Sequence, residues 1–147
     1  QDPLISQVHP HGDTRAYVSA LIAPSPLETL EWGAANGCIS PTELRERQEE
    51  LTRDPTARSQ ALNRSVAKVV KTAGYRARIR DAVKAGNRDL AQVERVRRYV
   101  LLDRDFSQEE GELTPTMKVK RKAIEEKFQD LFNRIYTEDG FADEASS

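Results

Sequence analysis

Cysteine, methionine and tryptophan each occur once in this chain of 147 residues, as Cys38, Met117 and Trp32. A single thiol excludes an internal disulfide framework and fits a reducing compartment, so the expected location is cytoplasmic. Long apolar runs are missing too. None approaches the length of a membrane span, and the first residues lack a signal-peptide pattern. Net charge is close to nil: 23 Lys and Arg face 24 Asp and Glu, which argues against bulk attraction to nucleic acid or to an anionic membrane. With 37% hydrophobic and 32% charged residues, the expectation is one helix-rich domain that buries a real core beneath much solvated surface. There is no internal repeat and no low-complexity tract.

Residue patterns divide the chain further. Leu4 to Val8 predicts a short strand, Gly12 to Arg15 a turn, and Ala16 to Ala23 a more apolar, central strand that can pair with the first as a hairpin. Ser25-Pro26-Leu27-Glu28 and Ser40-Pro41-Thr42-Glu43 both read as helix starts, with Ser at the N-cap, Pro in the first turn and Glu to complete a capping box. The first helix should end at Asn36-Gly37 and the second near Leu51 or Thr52. Asp54-Pro55 repeats the start signal, and Leu62, Val66, Val69, Val70 and Ala73 recur at helical spacing. Gly74 interrupts. Ile79, Ala82 and Val83 then continue to Gly86-Asn87, and a short helix from Asp89 to Arg95 leads into a third strand at Tyr99 to Leu102.

Asp103 to Thr116 is acidic and loop-like. Ile124, Phe128, Leu131, Phe132 and Ile135 mark one apolar face of a long helix. Residues 137–147 are acidic and small, and predict a tail without fixed structure. The expected fold class is α+β: a small sheet of about three strands packed by helices, helix-rich, ending in a long amphipathic helix.

Positive charge is clustered. Gly111 to Lys122 reads Gly-Glu-Leu-Thr-Pro-Thr-Met-Lys-Val-Lys-Arg-Lys, a proline-fixed loop that brings Lys118, Lys120, Arg121 and Lys122 to a helix start. Cations oppose the helix dipole there, which hints at an anionic target. Glu109, Glu110 and Glu112 are alternative partners for Lys120, Arg121 and Lys122. Alternation sends Arg95 and Arg97 to one face of the third strand; solvating an edge is the simpler reading, phosphate contact the sharper one. His9 and His11 also share a face, but two histidines without a third ligand make a poor metal site, so no metal ligand is assigned. Cys38, Trp32 and Tyr17 read as packing or interface residues.

Three stretches resemble the C-terminal domain of long-chain acyl-CoA synthetases (long-chain fatty acid–CoA ligases), in the adenylate-forming, AMP-binding superfamily. Pro3-Leu4-Ile5-Ser6-Gln7 with Gly12-Asp13-Thr14-Arg15-Ala16-Tyr17-Val18-Ser19-Ala20-Leu21-Ile22 is similar to the family's strand, Gly-Asp-x-Arg turn and strand. Asn87-Arg88-Asp89-Leu90-Ala91-Gln92-Val93-Glu94 matches its Asn-x-x-Leu-Ala-x-x-Glu spacing, with conservative exchanges at Val96 and Tyr99 beyond it. Gly111 to Lys122 is the most specific match. The sequence departs from the family at His9-Pro10-His11, and the stretch from Thr56 to Tyr75 looks like an extra helical excursion.

The resemblance implies that residues 1–136 are a lid domain and that Lys118 is the catalytic residue for acyl-adenylate formation. Lys120, Arg121 and Lys122 become candidate substrate- or nucleotide-binding residues. ATP, Mg2+ and CoA are implied as cofactors, bound together with a large N-terminal adenylation domain, and fatty acid, ATP and CoA as substrates. The lid would swing between the two steps, and the isolated piece is expected to be inactive. No nucleic-acid partner is expected, and peripheral membrane association is left open. Two alternatives stand beside this reading: a fatty acyl-AMP ligase domain that passes acyl groups to a carrier protein, and a non-catalytic helical binding module.

Overall fold

The most apolar strand takes the middle of the fold. In the computed structural model, which describes residues 2–145, β1 (Ile5–His11) pairs antiparallel with β2 (Val18–Pro24). Four helices follow: α1 (Pro26–Ala35), α2 (Pro41–Arg53), α3 (Gln60–Val70) and α4 (Ala73–Asn87). They carry the chain over to β3 (Val96–Leu101), which lies parallel to β2. Next come α5 (Arg121–Lys127), α6 (Gln129–Thr137) and β4 (Asp143–Glu144), which closes the sheet antiparallel to β3. The sheet order is β1-β2-β3-β4.

Alternation along β2 builds two cores, because successive side chains leave opposite faces of a sheet. Ala20 and Ile22 join Leu30, Val66, Val69, Val70, Tyr75 and Ile79 beneath α1, α3 and α4. Leu21 and Ala23 join Phe106, Leu113, Ile124, Phe132 and Ile135 on the other face. This second core is the platform of the candidate site.

Capping follows the local chemistry at Ser40 and departs from it elsewhere. Ser40 accepts from the Glu43 N–H at 3.0 Å, whereas the Ser25 hydroxyl donates to the Glu28 carboxylate at 2.7 Å. Asp54-Pro55 starts no helix: Asp54 Oδ1 accepts from the Thr56 N–H and hydroxyl, making a local turn, and α3 begins after Ser59. Thr72, not Gly74, separates α3 from α4. The expected short helix before β3 shrinks to one 3-10 turn at Gln92–Glu94.

Two larger corrections concern the end of the chain. The long amphipathic helix is two helices, broken at Phe128, where φ −105° and ψ 18° leave the helical region. No proline or glycine makes this break. The halves answer to different supports, Lys127 reaching the preceding loop and Phe132 packing against His11. The sheet has four strands among the described residues, not about three. The fourth lies within the stretch expected to lack fixed structure: Arg98 and Arg76 engage Glu144 and Asp143, and Ala145 is buried. Residues 146 and 147 of that stretch lie outside the described residues.

One glycine is set by close packing. A Cβ on Gly33 would lie 2.4 Å from Val69 Cγ2, so α1 and α3 approach too closely for any side chain there. Gly33→Ala should cost about 1–3 kcal/mol of stability by overpacking. In denaturant unfolding, the double variant with Val69→Ala should lose less than the sum of the two single changes.

Candidate functional site

Leu113 and Val119 bridge antiparallel, and between them Thr114 and Lys118 close a three-residue hairpin loop. The Thr114 N–H donates to Lys118 O at 2.8 Å, and the Met117 N–H donates to Thr114 O at 2.8 Å. Pro115 supplies a fixed φ at the first corner, and Met117 takes the left-handed φ of 66° that such loops require at their last position. Thr114 Oγ1 also accepts from the Lys118 N–H at 3.0 Å. The backbone of Lys118 is therefore held on both sides, while its side chain is exposed.

The hairpin stands on a buried carboxylate. Glu112 is fully buried, and Arg104 clamps it in bidentate fashion at 2.8 Å and 2.8 Å. Lys127 Nζ lies 3.0 Å from Glu112 Oε2, and the Ser107 N–H donates to Oε1 at 3.1 Å. Burial pushes the Glu112 carboxyl up, but hydrogen bonds and charge from Arg104 and Lys127 outweigh it and hold the group below the ordinary carboxylate range. Asp105 fixes the start of the same loop: Arg58 reaches it at 2.9 Å, and the Ser6 hydroxyl donates to it. Arg58 belongs to the extra helical excursion, which thus braces the loop that leads to the hairpin.

These contacts change the expected pairing of the basic run. Glu110 and Glu112 are taken by Lys127 and Arg104, not by Lys120, Arg121 or Lys122. Among the described residues, no carboxylate lies within ion-pair distance of Lys118, Lys120, Arg121 or Lys122. Lys120 is the N-cap of α5, with Arg121 and Lys122 in its first turn. Lys122 also lines a cavity of about 320 Å³ with His11, Arg15, Glu125 and Phe132. The four cations share one segment rather than one closed pocket.

A second basic surface was only half legible. Arg95 and Arg97 do share a side, where they line an open cavity of about 800 Å³ with Lys84, Arg88, Asn87 and Tyr17. Arg97 lies over the Tyr17 ring, its guanidinium carbon 5.0 Å from the centroid. Among the described residues, no carboxylate lines this cavity. Lys84 and Arg88 arrive from the end of α4, far from β3 in sequence, so strand alternation could not find them. Arg98 turns away, to Glu144 at 2.8 Å and Ile135 O at 3.2 Å.

His9 and His11 project together, as their spacing predicts, and both meet Glu125. His9 Nε2 and His11 Nδ1 each lie 2.7 Å from a separate Glu125 oxygen, and His11 stacks on Phe132 at 4.1 Å between centroids. Burial raises the Glu125 carboxyl, yet the two imidazoles overcome this and hold it below the usual range. The pair ties β1 to α5, the helix that follows the hairpin. Trp32 packs edge-on to Tyr75 in the first core, and Cys38 is half-buried beside Thr72.

Comparison with known proteins places this geometry in context. No family model matches the chain. It is 32% identical over 137 residues to the long-chain-fatty-acid–CoA ligase FadD15 of Mycobacterium tuberculosis, covering 93% of this chain and 19% of the relative. It is 31% identical over 142 residues to the long-chain-fatty-acid–CoA ligase ACSBG2 of Gallus gallus, covering 92% of this chain and 17% of that protein. The chain thus spans about a fifth of the length of the curated relatives it matches. Among solved structures, the adenylation domain of a carboxylate reductase from Mycobacterium chelonae aligns over 92% of this chain and 16% of its own, at 20% identity and a TM-score of 0.46.

Proposed function

From the premise that this chain belongs to the long-chain-fatty-acid–CoA ligase family, we propose that it is the C-terminal lid domain, residues 1–136, of an ATP-dependent enzyme of that kind. The reaction runs in two steps. The fatty acid carboxylate attacks the α-phosphorus of ATP and pyrophosphate leaves; the CoA thiol then attacks the acyl carbon and AMP leaves. In the first step two anions must approach, and negative charge grows on the phosphate. A fixed cation between them offsets both effects in a water-poor site.

Lys118 suits this task, as a compact point charge on a flexible stem. One observation carries the reading. Lys118 stands on a hairpin whose backbone is pinned, while the neighbouring carboxylates Glu110 and Glu112 are engaged by other cations. Its ammonium is left for an outside anion. Lys120, Arg121 and Lys122 extend the same positive edge toward the nucleotide. The cavity between α4 and β3 offers Lys84, Arg88, Arg95 and Arg97, none in an ion pair among the described residues, as a second surface suited to the phosphates of CoA. Among the described residues, no three or more His, Cys, Asp and Glu side chains gather into a metal site. Mg2+ would enter with the phosphates of ATP rather than on such a cluster.

The test uses the full-length protein that carries this chain. Fatty-acid-dependent exchange of pyrophosphate into ATP reads the first step, and acyl-CoA formation reads the second. Both activities are expected. Exchange with acyl transfer to a loaded carrier protein, and none to CoA, would replace the ligase reading with an acyl-AMP ligase. Absence of exchange would leave a binding module.

A further inference from the structure

We propose that Glu112 is the positioning residue for Lys118, an inference that rests on the role given to Lys118 above. Its backbone sits at the root of the hairpin: the Glu112 N–H donates to Ser107 O at 3.0 Å, and its carbonyl accepts from the Lys120 N–H at 2.9 Å. Its carboxylate ties the loop that leads into the hairpin to α5: Arg104 and Ser107 come from the stretch that follows β3, and Lys127 from α5. A tilt of the hairpin away from this loop or away from α5 would break a bond to this one group. A fully buried carboxylate with four donors cannot shift without leaving one of them unpaired.

The same arrangement sorts charge. Sequence places a glutamate six residues before Lys118, on the facing arm of the hairpin, where a free carboxylate would compete for the lysine. Arg104 and Lys127 draw that carboxylate inward and leave the positive run facing out. Glu112 touches no substrate in this scheme. It acts through Lys118, and its replacement should damage the adenylation step selectively.

The experiment compares the full-length wild type with Glu112→Gln, Lys118→Ala and the double variant. Adenylation is read as palmitate-dependent ATP–pyrophosphate exchange, and the second step as CoA thioester formation from supplied palmitoyl-adenylate. Misplacing a catalytic group by about an ångström costs up to roughly 10²-fold, so Glu112→Gln should lower exchange at least about tenfold, mainly in kcat. Thioester formation should stay within about twofold, and the double variant should be no slower in exchange than Lys118→Ala alone. Parallel losses in both steps, unchanged exchange, or a double variant whose losses multiply would each overturn the proposal. If Glu112→Gln does not fold, Arg104→Lys keeps the charge but loses the bidentate clamp, and the same outcomes decide. Unchanged exchange in Lys118→Ala alone removes the lysine's role and this proposal with it, whereas an effect of Lys118→Ala without one of Glu112→Gln overturns only the positioning.

Discussion

Replacing Lys118 by alanine in the full-length enzyme is expected to cut palmitate-dependent pyrophosphate release roughly 10²- to 10³-fold, with the protein still folded. Folding should survive because the Lys118 side chain is exposed, and the hairpin is closed by the Lys118 backbone and by Thr114, which the substitution leaves in place. The loss should fall on kcat, since the cation is needed most where charge develops in the transition state. Lys118→Arg should recover only part of the rate, because a planar guanidinium on a longer stem cannot occupy the same point. Thioester formation from supplied acyl-adenylate should change little. Equal pyrophosphate release in wild type and Lys118→Ala would make this domain a scaffold or an accessory to the CoA step.

What the sequence disclosed and what it hid follow from the range of the interactions involved. The caps at Ser40 and Asn36-Gly37 and the apolar stripe of α3 rest on contacts within a few residues, and the β1–β2 hairpin and the central place of β2 are marked by a turn signal and by an apolar run; local patterns report all of these. The break at Phe128 has no local cause; supports on either side impose it. β4 is invisible in an acidic, small-residued stretch, because Arg76, Arg80 and Arg98 supply its partners from α4 and β3. Gly111 to Lys122 marked the candidate site, yet Glu112 read as one of three interchangeable acids. Its partners lie 8 and 15 positions away, and only folding shows that Arg104 rather than Lys120 takes it.

Arg104→Ala should be the most damaging single change to stability in this region, costing about 3 kcal/mol at neutral pH. The asymmetry with Glu112→Gln is physical. Removing the carboxylate leaves Arg104 and Lys127, whose side chains are 24% and 33% exposed and can be hydrated. Removing Arg104 leaves a carboxylate with no exposure at all and one remaining cation.

The pH dependence separates charge from packing. In the wild type the folded-state pKa of Glu112 lies below its ordinary value of 4.5, so its contribution is complete above that value and is lost as pH falls through the folded one. Without Arg104, burial dominates and the folded-state pKa rises. Charged Glu112 then costs stability at neutral pH, and the cost is relieved as the group takes up a proton on acidification. Urea unfolding of this chain at about pH 7, 5.5 and 4 should therefore show a gap between wild type and Arg104→Ala that narrows steadily toward acid. A gap of constant size would assign the loss to the packing of the guanidinium rather than to its charge. Adding Glu112→Gln to Arg104→Ala should restore part of the stability at neutral pH and flatten the dependence, because the unpaired buried charge is then gone.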